Sequence, residues 1–131
     1  MKFLLDTNAV IALGEGRGGL EEQMWQYRPE DFGLPAVVIY ELYYGAGTSR
    51  RAAENFARVE SLPFRVLEFD RQDARAASQI RVHLERLGEP IGPHGLMIAG
   101  QAVARDLTLI THDTGQFQRV PGLRLVDWEQ P

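Results

Sequence analysis

Short apolar runs alternate with longer stretches at helical spacing along this chain, and several of the short runs stop at a carboxylate. Phe3-Leu4-Leu5 is the first, ended by Asp6, with Thr7 and Asn8 next. The pattern predicts a buried strand that delivers Asp6 to its carboxyl end and turns into a helix capped by Thr7 or Asn8. Ala9 to Leu13 is that helix, ended by Gly14; a glycine-rich connector then leads to a more polar helix over 20–28, with Leu20, Met24 and Tyr27 on one side. Phe32-Gly33-Leu34-Pro35 reads as a second strand or its exit, and Pro35 suits the first turn of a helix from Ala36 to Ala46. That helix is apolar nearly all round, which predicts burial, and Glu41 is its one charge.

Ser49 is placed to cap a helix over 50–60, with Ala53, Phe56, Ala57 and Val59 as its apolar contacts. Phe64 to Phe69 is a third strand, after which Asp70 caps a long helix with Asp73 in its first turn. Ala77, Ile80, Leu84 and Leu87 hold the core-facing spacing of that helix, and Gly88 ends it. Ile91-Gly92-Pro93 announces a helix from His94 to Arg105, and Leu107 to Ile110 is a compact strand followed by Thr111, His112 and Asp113. This repeats the arrangement at the N-terminus. Phe117 anchors the next loop, Val120-Pro121-Gly122 is a turn, and Leu123 to Val126 is the last strand. Strands alternating with helices predict one α/β domain over residues 1–131, a three-layer α/β/α sandwich with a mainly parallel central sheet.

Composition narrows the chemistry. Apolar residues make up 44% and charged residues 24%, as in an ordinary globular protein. No apolar run approaches the ~18 residues of a membrane span, and a strand starting almost at Met1 leaves no room for a signal peptide. With no cysteine there is neither a disulfide framework nor a thiolate metal site, which suits the cytoplasm. Lys2 is the only lysine beside thirteen arginines, so lysine-dependent phosphate loops, Schiff bases and phospho-acceptor receiver sites are excluded. A formal net charge of −4 excludes a general nucleic-acid coat, but leaves room for an acidic site that recruits cations.

Asp6 and Asp113 both leave strands at the carboxyl edge, where open α/β sheets bind ligands, and Glu41 projects from a helix that reaches the same edge. Like charges held together need a cation or a shared proton. All-oxygen ligation points to Mg²⁺ or Mn²⁺, which activate water and neutralise a phosphodiester. Set against this, Asp6 alone reads as a helix cap, and Glu41 reads as the partner of an arginine or as an exposed edge. Glu68, Asp70 and Asp73 are explained by capping. His94 and His112 flank the proposed site and are read as incidental.

Leu4-Leu5-Asp6-Thr7-Asn8, Glu41-Leu42-Tyr43-Tyr44-Gly45, Ile91-Gly92-Pro93 with Ile98-Ala99, and Leu109-Ile110-Thr111-His112-Asp113 resemble, in order, the conserved blocks of PIN-domain ribonucleases. The closing Phe117, Val120-Pro121-Gly122-Leu123 and Trp128 resemble the VapC toxin branch. The resemblance implies a Mg²⁺- or Mn²⁺-dependent endoribonuclease toxin that cuts structured RNA such as tRNA. It further implies a homodimer, silenced by a cognate antitoxin that inserts a segment into the active-site groove. Carried over, Asp6, Glu41 and Asp113 are the metal ligands, with Thr7, Asn8 and Thr111 as supports that orient carboxylates or water. One position departs from the pattern: Gly95 stands where the family has an Asp that helps hold the metal. A single base converts an Asp codon to Gly, so the expectation is a site weakened or silenced by this glycine. The alternative reading is a catalytically silent PIN-fold protein that still binds its antitoxin.

Overall fold

In the computed structural model, which describes residues 1–129, the chain folds as β1 (Phe3–Leu5), α1 (Thr7–Glu15), α2 (Leu20–Met24), β2 (Phe32–Pro35), α3 (Ala36–Gly47) and α4 (Ala52–Glu60). It continues through β3 (Arg65–Leu67), α5 (Arg71–Arg86), α6 (Pro93–Ala104), β4 (Thr108–Ile110), α7 (Thr114–Phe117) and β5 (Leu125–Val126), with a 3₁₀ turn at Pro29–Asp31 before β2. The five strands are all parallel and lie in the order β3-β2-β1-β4-β5. Phe3, Leu4 and Leu5 register with Thr108, Leu109 and Ile110 on one side, and Phe3 and Leu4 with Phe32 and Gly33 on the other.

This order decides where a site can form. From β1 the chain steps outward to β2 and β3, then crosses back over the sheet to β4 on the far side of β1. Right-handed crossovers running in opposite directions put their helices on opposite faces, which yields the α/β/α layers expected from the sequence. The reversal lies between β1 and β4, and a crevice opens at the carboxyl ends of strands on either side of such a switch point. The central strands are fully buried: Leu4, Leu5, Leu34 and Leu109 are all at 0% exposure, with Phe32 and Ile110 at 1%. Val38, Leu84, Ala99 and Ala102 close over them from the helices.

Several elements differ in detail from their sequence pattern. Pro35 is the last residue of β2 and the N-cap of α3 rather than part of the helix. Ser49 does not cap α4; its hydroxyl donates to the Ala46 carbonyl at the end of α3 and accepts from Asn55. The first helix runs past Gly14 to Gly16, whose left-handed φ of 68° closes it. The second ends at Met24, four residues short, and its N-cap Gly19 supplies no side-chain bond; Tyr27 still turns inward against Phe3. The strands β3 and β5 are shorter than their apolar runs. α3 is not buried all round: Val37, Val38 and Ala46 face the core, whereas Tyr40 and Tyr44 stand 60% and 67% exposed. Leu87 is the C-cap of α5 and is exposed rather than part of the core-facing stripe. Among the described residues no helix is long and apolar enough to cross a membrane.

Candidate metal centre at the switch point

Asp6 follows β1 directly and is itself the N-cap of α1 in place of Thr7 or Asn8, which already lie within the helix, its carboxylate accepting from the Ala9 N–H at 2.8 Å. It is only 5% exposed. Burial pushes its carboxyl above the ordinary carboxylate range, opposed by hydrogen bonds from Thr111 and Ala9, and the charges of Asp113 and Glu129 push it higher still. The capping and ligand readings of Asp6 are therefore compatible: one oxygen holds the helix, and the carboxyl group is buried near other acids.

Glu41 reaches the same crevice from α3. Thr7 donates its hydroxyl to Oε1 at 2.8 Å, and His94 Nδ1 lies 3.4 Å from Oε2. No arginine meets Glu41 among the described residues; its side chain is 32% exposed and lies at the rim. Asp113 follows β4 and caps α7, accepting from the Gln116 N–H at 3.3 Å and from Gln116 Nε2 at 3.1 Å. Thr111, only 1% exposed, accepts the Asp113 N–H at 3.0 Å and hydrogen-bonds Asp6, so one hydroxyl ties the Asp6 carboxylate to the Asp113 backbone.

Asp6, Glu41 and Asp113 line a single open cleft of about 340 Å³, shared with Thr7, Asn8, His94 and Gly95. The structure brings Asp6, Thr7, Asn8, Glu41 and Asp113 to this one cleft, whereas Thr111 does not line it and reaches it only through its bond to Asp6. The acids lining it are Asp6, Glu41 and Asp113, with a hydroxyl, an amide and the His94 ring beside them and no sulfur, and Asp6 is buried near like charges. That set fits a hard divalent cation, whose charge would relieve the repulsion. Gly95 is the third residue of α6, and a Cβ there would meet the Gln116 side chain at 3.2 Å. The amide that bonds Asp113 thus occupies the space beside residue 95.

Sequence reasoning did not single out Gln116, Asp127 or Glu129. Asp127 follows β5 as Asp6 follows β1, a strand-end signal that was readable but carried by a two-residue strand. His112 is not incidental in its packing, for its Nδ1 lies 2.9 Å from Asp127 Oδ2. His112, Asp127 and Glu129 each place a ligand-type atom within 4.8 Å of the others. Glu129 also lines a second depression with Asn8, Arg17, His112 and Asp113. Away from the crevice, Asp70 and Asp73 form the expected capping box on α5. Asp73 is in addition fully buried against Arg105 and Gln101 of α6 and its end.

Comparison with known proteins places this chain in a family. The PIN domain family matches residues 3–123. The tRNA(fMet)-specific endonuclease VapC of Salmonella typhimurium is 36% identical over 130 residues, covering 98% of each chain. The protein of the same name from Shigella flexneri is 37% identical over 130 residues, again 98% of each chain. A crystal structure of DNA-bound VapBC from Salmonella typhimurium superposes with a TM-score of 0.91 at 35% identity, covering 98% of each chain. With its parallel sheet, its strand-end acids and this end-to-end similarity, the chain belongs to the PIN-domain family and, within it, to the VapC ribonucleases.

Proposed function

We propose that this chain is an endoribonuclease that hydrolyses phosphodiesters of structured RNA, tRNA foremost, with Mg²⁺ or Mn²⁺ at Asp6, Glu41 and Asp113. The observation that carries the reading is the convergence of three carboxylates from separate elements at the switch point, the most buried of them hydrogen-bonded and held among like charges. A hard cation bound there would neutralise phosphate charge and acidify a water for attack. The chain's own residues orient that chemistry. Thr7 fixes the rotamer of Glu41, Thr111 holds Asp6 and the Asp113 backbone in register, and Asn8 lies at the mouth. Such supports are worth roughly 10–100-fold in metal affinity or activity when removed.

The partner follows from the surface beside Glu41. A mostly apolar cleft of about 380 Å³, bounded by Val10, Ile11, Leu42, Val59 and Leu62, runs up to that carboxylate between α1, α3 and α4. It suits an apolar antitoxin segment whose end reaches the acids, in keeping with the VapBC pairing of the Salmonella relative. The same reading makes the protein a homodimer in solution, which light scattering would test.

The deciding experiment is cleavage of a bulk tRNA pool by the purified chain in Mn²⁺, in EDTA, and with Asp6→Asn. Metal-dependent cutting lost in Asp6→Asn is expected. A second reading, a PIN-fold protein that binds antitoxin without cutting, is favoured by one feature, the glycine at 95 with Gln116 filling its space. Absence of cutting in Mn²⁺, with antitoxin binding intact, would establish it.

A further inference from the structure

We infer that Glu129 serves the cation site as an additional carboxylate, on the flank of Asp113 away from Gly95. The inference rests on the reading of Asp6, Glu41 and Asp113 as the cation site and extends it to a residue that follows the last strand.

Adjoining hollows place that carboxylate. Glu129 shares a depression with Asn8 and Asp113, both of which also line the main cleft, so the two hollows adjoin at those residues. An acid in that position raises the repulsion inside an already crowded crevice, a cost that an oxygen-ligated cation would offset.

The segment carrying Glu129 is held firmly enough to count as part of the site. Trp128 packs among Phe3, Tyr27 and Phe32, with ring centroids at 4.9, 5.8 and 6.4 Å. The Glu129 N–H donates to Asp127 Oδ1 at 3.1 Å. Gly18, at φ 63°, lets the glycine-rich connector lie against the tail: a Cβ there would meet the Glu129 carbonyl oxygen at 2.5 Å and its Cα at 2.7 Å. The connector that looked like plain flexible sequence therefore acts as the seat of the tail. On the other flank, residue 95 offers no carboxylate and Gln116 turns an amide toward Asp113. Negative charge around the crevice is thus shifted from α6 toward the tail.

The test is Mn²⁺ binding to the full chain by calorimetry, with melting temperature read without metal. Glu129→Gln should weaken Mn²⁺ about tenfold, the size typical for residues supporting a metal site, and should not lower the metal-free melting temperature. Asp6→Asn should abolish binding. Gly18→Ala, which displaces the tail, should weaken Mn²⁺ like Glu129→Gln. Wild-type affinity in Glu129→Gln beside lost binding in Asp6→Asn would overturn the role of Glu129 alone. No Mn²⁺ binding by the wild type would overturn the cation site as well. Binding that survives Asp6→Asn but needs Glu129 and His112 would put the ion on His112, Asp127 and Glu129 and overturn both readings.

Discussion

Replacing Gly95 by Asp is the most informative single change, because it restores a carboxylate on α6 at a measurable structural cost. The new Cβ meets Gln116 Oε1 at 3.2 Å and its Cδ and Nε2 at 3.4 Å. These atoms end a flexible side chain at the cleft rim, so a few tenths of an ångström of movement accommodates it, at the expense of the 3.1 Å bond from Gln116 to Asp113. In return, an acid at the third position of α6 interacts favourably with the helix N-terminus, worth about 0.3–1 kcal/mol. Leaving glycine adds a few tenths more. Repulsion from Asp6, Glu41 and Asp113 opposes both, so the metal-free melting temperature should change little. In Mn²⁺ the two proteins should separate. A tenfold gain in affinity corresponds to about 1.4 kcal/mol of extra stabilisation at saturating metal. With an unfolding entropy near 2.1 cal/mol/K per residue, that raises the melting temperature by roughly 5 °C over the parent. Thermal melts with and without Mn²⁺, paired with tRNA cleavage, measure both consequences. Equal Mn²⁺ stabilisation and equally strong cleavage in the two proteins would refute the idea that Gly95 weakens the site.

The other predictions test separate parts of the structure. Asp6→Asn keeps the helix cap but removes a charge whose carboxyl is raised by burial; a raised acid destabilises the fold once ionised, so the metal-free variant should melt higher than wild type at pH 7. For the same reason Asp6 makes the wild type more stable as pH falls through its raised value, a gain that circular dichroism melts should not find in Asp6→Asn. Thr111→Val removes the hydroxyl shared by Asp6 and Asp113 and should lower kcat roughly 10–100-fold while leaving the fold intact by circular dichroism. Arg105→Met strips the partner from buried Asp73 and should cost about 3–5 kcal/mol, roughly 10–20 °C in melting temperature, without altering Mn²⁺ affinity. Burial opposes ionisation of Asp73, yet hydrogen bonds from Arg105, the Asp70 N–H and Gln101 outweigh it and hold its carboxyl below the usual range. Its stabilising contribution is therefore present above the ordinary carboxylate value and disappears in acid below it, which a pH series of melts would show for wild type but not for Arg105→Met.

What the sequence made legible were the features with a local cause. Apolar runs stopping at Asp6 and Asp113 marked strand ends, and the alternation of strands and helices implied the parallel sheet. Asp70 and Asp73 showed their capping box by spacing alone. The missing pieces were those set by tertiary placement. Whether α3 is covered on all sides depends on its neighbours, and nothing in its own apolar run tells that Tyr40 and Tyr44 face outward. Ser49 has the chemistry of an N-cap, but its hydroxyl finds the end of α3 first. Gln116 and Glu129 join the crevice from a four-residue helix and from the segment after a two-residue strand, elements too short to carry periodicity. The pairing of Asp73 with Arg105, 32 residues apart, is likewise invisible until α5 packs on α6.

The two buried acids of this fold make the functional argument by contrast. Asp73 and Asp6 are both helix N-caps or capping-box acids at the head of an α-helix, and both are nearly inaccessible. Asp73 is satisfied: a guanidinium, an amide and a backbone N–H converge on it, and its carboxyl is held low. Asp6 receives a backbone N–H and a hydroxyl but no cation, sits among further carboxylates, and is pushed the other way. The same chain therefore shows that it can neutralise a buried acid from its own residues where structure alone is at stake. At the switch point it does the opposite, gathering acids while its arginines lie elsewhere or at the rim. Local repulsion of that kind is a standing cost to folding, and it is accounted for when the compensating charge comes from a bound cation rather than from the protein.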